Sequence, residues 1–109
     1  MASYLVQVSY SQEALAALIE KPQNRTPVVK RAIENLGGTL NGSWMSFGDY
    51  DLVMLVEMPN NVSAAALALA AAAGGSLRSI KTTPLLTIDQ ALAALKKASK
   101  SGYTPVRQK

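Results

Sequence analysis

The residue types that carry most enzyme chemistry are sparse in this chain of 109 residues, and their spacing narrows what remains. It contains no histidine and no cysteine. That removes the commonest general base near neutral pH, the commonest transition-metal ligand, thiolate nucleophiles and disulfides. The carboxylates Asp49, Asp51 and Glu57 lie close in sequence, but Asp51 and Glu57 are six residues apart on one extended run, roughly 20 Å, and cannot share a metal within a subunit. Asp49 fits a turn role, and Asp51 either bonds backbone groups where its strand begins or serves as an acid or base at a cleft. No glycine-rich phosphate loop follows a strand, because Gly74-Gly75 ends a helix. No metal or other cofactor is expected.

The candidates that remain suit ligand binding better than bond making. Trp44 and Tyr50 could line an aromatic pocket near a hairpin, as Tyr4 and Tyr10 could on the first strand, or they could pack in a core or interface. Gln7, Ser9, Arg78 and Lys81 are polar residues on strands, where a fully packed interior rarely places charge, and could orient a small anionic or carbonyl ligand. Arg78 and Lys81 differ by an odd number, so regular alternation points them to opposite faces of the sheet.

The elements that must position these residues are readable from periodicity. Residues 4–10 alternate as a strand, with Tyr4, Val6, Val8 and Tyr10 on one face. Ser11 caps a short helix that Lys21-Pro22 stops. Thr26-Pro27 opens a second helix, which Gly37-Gly38 ends. Residues 39–47 and 51–58 read as a hairpin, and Asn60 or Asn61 caps an alanine-rich helix that runs to Gly74-Gly75. Residues 76–86 form a fourth strand, with Pro84 near an end or an edge. A last helix opens with Thr87 and Gln90 in capping-box spacing. The order predicts a split βαββαβ fold with a four-stranded antiparallel sheet, two main helices on one face, and an additional C-terminal helix.

A two-residue Gly48-Asp49 turn of type II′ sets the hairpin register. Phe47 then faces Tyr50, Trp44 pairs with Val53 and Gly42 with Leu55 on one face, while Met45 pairs with Leu52 and Ser43 with Met54 on the other. Both faces are apolar at mid-strand, as in a sheet covered twice. One cover is the helical layer. The C-terminal helix could supply part of the second, but another copy of the same sheet is the economical answer, so a homo-oligomer is expected.

At Phe47-Gly48-Asp49-Tyr50-Asp51, with the apolar run to Pro59, the chain resembles the GYD domain family, named for its Gly-x-Tyr-Asp element. Leu36-Gly37-Gly38, the alanine-rich helix and Lys81-Thr82-Thr83 extend the likeness. The resemblance implies a ferredoxin-like fold of the dimeric α+β barrel group, and it brings no assigned reaction or catalytic residues. Related barrels include cofactor-free monooxygenases, isomerases, haem-handling enzymes and ligand sensors.

Charge and composition bound the partners. The net charge is +4, yet residues 96–109 carry five basic residues and no acid, so the rest of the chain is nearly neutral. Nucleic acid is therefore an unlikely partner for the body of the domain, although the tail could bind anions or nucleic acid. The longest apolar stretch, residues 64–73, is about half of a bilayer span, so no membrane association is expected. The first residues lack the features of an export signal, and with no cysteine a cytoplasmic location is expected. The reading is a domain over residues 1–102 with a flexible basic tail over 103–109. It works as a homo-oligomeric small-molecule-binding or assembly domain. The alternative is a cofactor-independent enzyme, of monooxygenase or isomerase type, acting on a small apolar or aromatic carbonyl compound.

Overall fold

A computed structural model describes residues 1–106. The elements are β1 (Ala2–Tyr10), α1 (Gln12–Glu20), α2 (Thr26–Asn35), β2 (Thr39–Met45), β3 (Leu52–Met58), α3 (Asn61–Ala73), β4 (Leu77–Leu85) and α4 (Ile88–Ser99). The strands form one antiparallel sheet in the order β2-β3-β1-β4. This is the α+β, ferredoxin-like arrangement that the element order predicts.

Most helix boundaries follow from local capping. The Ser11 hydroxyl accepts the Ala14 N–H, Asn60 Oδ1 accepts the Ser63 N–H, and Thr87 with Gln90 forms a reciprocal capping box on α4. At α2 the N-cap falls on Arg25, one residue before Thr26, and makes no side-chain bond, while Asn24 Oδ1 accepts the Thr26 N–H in a local turn. Asparagine closes such a local loop more readily than threonine, and Pro27 still sits in the first turn.

One face of the sheet carries the core. Tyr4, Val6 and Val8 of β1 and Met54, Val56 and Met58 of β3 are buried against Ile33 of α2 and Ala64 and Leu67 of α3. The Tyr4 hydroxyl donates to Asn61 Oδ1 at 2.6 Å, tying β1 to the start of α3. Gly38 lets the chain pass close to β3, since a Cβ there would meet the Glu57 carbonyl oxygen at 2.5 Å. α1 buries no residue fully, so the helical layer is thin at that end.

The β2/β3 register is the expected one: Gly42 pairs with Leu55, Ser43 with Met54, Trp44 with Val53 and Met45 with Leu52. The turn itself differs. Regular pairing stops at Met45 and Leu52, and Gly48 has φ 152°, far from the value of about 60° that a type II′ turn needs. The loop is wider than a two-residue turn: Ser46 closes its base onto Asp51, and the segment from Asp49 to Asp51 is fastened sideways to β1. β4 also departs from regular alternation. Ser79 pairs with Ser9 and Leu77 with Tyr10, which leaves Arg78 as the extra residue of a bulge, so counting from Lys81 does not give its face.

Among the described residues no element covers the second face of the sheet. An apolar band crosses it diagonally, from Trp44 on β2 through Val53 and Leu55 on β3 and Leu5 on β1 to Leu85 on β4. The Trp44 ring lies over Gly42, where a Cβ would collide with it. α4 does not fold back onto this face. It makes no extensive contact with any other element, and Ile88, Leu92 and Leu95 are 77%, 51% and 66% exposed. Among the described residues no helix is long and apolar enough to cross a membrane. Of the tail predicted over residues 103–109, residues 107–109 lie outside the described structure.

Candidate functional site

A cleft of about 500 Å³ opens on the helical side of the sheet, where the thin layer of α1 leaves β2 and β3 incompletely covered. Its floor is Ser43, Met45, Leu52 and Met54, the four residues that the hairpin register places on one face. Leu15, Leu18 and Ile19 of α1 form one wall, and Val29 of α2 with the connection from Pro22 to Thr26 forms the other. The walls are apolar because Leu15 and Leu18 of α1 and Val29 of α2 are half-buried toward the sheet, while Ile19 is mostly exposed. Polar groups gather at one end: Tyr10, Asp51, Arg25, Gln23 and Asn24. A mostly apolar cleft with a few convergent polar groups is the usual form of a small-molecule site.

The loop between β2 and β3 builds the polar end. The Ser46 N–H donates to the Asp51 carbonyl at 2.9 Å, and the Ser46 hydroxyl donates to the Tyr50 carbonyl at 2.7 Å. Three further bonds fasten the loop to the end of β1. The Asp51 N–H donates to the Val8 carbonyl at 2.7 Å, the Ser9 hydroxyl donates to the Asp49 carbonyl at 2.7 Å, and Asp51 Oδ2 accepts the Tyr10 N–H at 2.9 Å. Asp49, Tyr50 and Asp51 thus belong to a clamp that joins two hairpin strands to a third. The clamp also holds the Asp51 carboxylate and the Tyr10 ring at the cleft.

Burial raises the pKa of the Tyr10 phenol above its ordinary value of 10.0. Arg25 opposes that shift and Asp51 adds to it. The phenol is therefore protonated at neutral pH and can donate a hydrogen bond to a ligand oxygen. Arg25, set at the start of α2, supplies a permanent positive charge at the same end.

The residues singled out from sequence divide between two surfaces. Asp51 lines the cleft. Gln7 and Lys81 are brought opposite each other on the uncovered face, with Trp44 two strands away from Gln7 in the same row. Ser9 is buried and bonded to the loop, Tyr50 contributes its carbonyl to that loop, and Arg78 is exposed in the β4 bulge. Arg25, Gln23 and Asn24 are the polar cleft residues that sequence reasoning missed; Asn24, two residues before Thr26 and able to close a local turn onto it, was the available signal. Among the described residues no group of three or more Asp, Glu, His or Cys side chains converges.

The family model of the GYD domain matches residues 4–95, a span that includes β1 from Tyr4 onward, the other three strands, the clamp and the cleft. No curated protein matches the chain.

Proposed function

The chain belongs to the GYD domain family, and on that premise we propose that it is a homo-oligomeric domain that binds a small, largely apolar molecule in the cleft between the sheet and α1/α2. The observation that carries this reading is the cleft itself: about 500 Å³, apolar along its floor and walls, with the Tyr10 phenol and Arg25 at one end. That volume lies in the range of small-molecule sites, and the polar end suits a carbonyl or carboxylate oxygen. Native mass spectrometry of freshly purified protein tests both parts. The expected spectrum shows a multiple of the protomer mass with a retained adduct, and Ser43→Phe, which fills the floor, removes the adduct but not the oligomer. A bare monomer overturns the reading.

Tyr10 also favours a second reading, cofactor-independent catalysis on a small apolar or aromatic carbonyl compound. A neutral phenol in a partly dry cleft can donate to an oxygen on which negative charge develops. Tyr10→Phe then abolishes turnover of a carbonyl substrate while leaving its binding within a few fold. Equal turnover by Tyr10→Phe and wild type removes the catalytic reading.

A further inference from the structure

Among the described residues two apolar surfaces are left without partners, and their lengths match. α4 carries Ile88, Leu92 and Leu95 at helical spacing on one side, with Lys97 on the opposite side. The uncovered face of the sheet carries the diagonal band from Trp44 to Leu85, bordered by Gln7 and Lys81 on one flank and Ser3 and Glu57 on the other. A 12-residue helix is about 18 Å long. A diagonal across four strands and about four residues of rise is roughly 20 Å.

α4 cannot be read as part of its own core. The radius of gyration is 17.7 Å, against about 13 Å for a compact chain of this length. The longest dimension is 60 Å. The solvent-accessible surface is 8162 Å², against roughly 5,800 Å² for a compact monomer of this mass. The difference, roughly 2,400 Å², to which α4 and the bare sheet face contribute, falls in the range that one protomer of an obligate dimer buries, about 1,000–2,500 Å². A link of only two residues, Leu86 and Thr87, joins β4 to α4, and the intact capping box fixes where the helix begins.

We propose that α4 is an exchanged arm: in a two-fold dimer, the apolar side of each α4 lies along the diagonal band of the other copy's uncovered sheet face. The proposal rests on the homo-oligomer reading above and names the surface that makes it. One contact, repeated by symmetry, covers both unpartnered surfaces, and a second copy is the one partner certain to carry both halves of the match. Lys96, Lys97 and Lys100 remain at the side or back of the arm, where they stay in water.

The absence of cysteine makes the test clean. Leu92→Cys and Leu55→Cys proteins, mixed and mildly oxidised, are expected to form a disulfide between one chain of each type. Leu92→Asp/Leu95→Asp is expected to be monomeric, with a dimer dissociation constant raised at least ~100-fold and an unchanged far-ultraviolet spectrum, because both side chains are more than half exposed within their own protomer. A persistent dimer in that variant overturns the arm while leaving the homo-oligomer intact. So does self-linking of Leu92→Cys alone, which means that α4 pairs with α4. An intrachain bond in the doubly substituted chain also overturns it. A wild-type monomer at micromolar concentration overturns the arm and the homo-oligomer together.

Discussion

Tyr10 and Asp51 meet at the polar end of the cleft for different reasons. Tyr10 follows the alternation of β1 onto the helical side, and its phenol is desolvated there, so its pKa is higher folded than unfolded. The folded state therefore holds the proton more tightly, and the resulting stability is complete below pH 10 and lost as pH rises through the folded value. Tyr10→Phe is expected to remove this alkaline loss, measured as urea midpoints between pH 8 and 11; parallel curves for the two proteins refute it. Asp51 is held by backbone: it accepts from Tyr10 and donates through its own N–H to Val8. Asp51→Ala deletes a charge-assisted bond to β1 and is expected to lower unfolding free energy by about 1.5–3 kcal/mol. A change below a few tenths in chemical denaturation contradicts the clamp.

Among the elements, the β2–β3 loop shows how local and non-local terms divide. The pairing of Met45 with Leu52 was readable because alternation and the glycine position leave one sensible register. The open form of the loop was not, because the bonds that open it come from Ser9, Val8 and Tyr10, about 40 residues earlier. Gly48 keeps its importance for a changed reason: φ 152° is poorly open to L side chains even though space around it is free. Gly48→Ala is expected to cost about 1–2 kcal/mol, read as a lower thermal midpoint. An unchanged midpoint means that the loop relaxes without strain. α4 shows the same division, since its capping box and stripe were legible while its outward direction depended on where β4 ends.

At the scale of the whole molecule, the uncovered sheet face and α4 account for the elongated shape and large surface. Trp44, the single tryptophan, lies 58% exposed in the uncovered band and so reports on what covers it. Its emission is expected to shift to longer wavelength on dilution below the dissociation constant, with the midpoint moving to higher concentration in Leu92→Asp/Leu95→Asp. Emission independent of concentration, from a band already in water, contradicts a covered face.

The sequence by itself determined the element order, the hairpin register, the two-sided apolar character of β3 and the sharing of one face by Ser43, Met45, Leu52 and Met54. All of these depend on neighbours in sequence or on alternation, where one residue of shift exposes a whole face to water. Only the tertiary structure decided that Arg25 and Asn24 stand beside Tyr10 and Asp51, that the Gly48 loop is clamped to β1, and that α4 leaves its own sheet bare. Each of those depends on the placement of segments tens of residues apart, and periodicity carries no information about the distance between them.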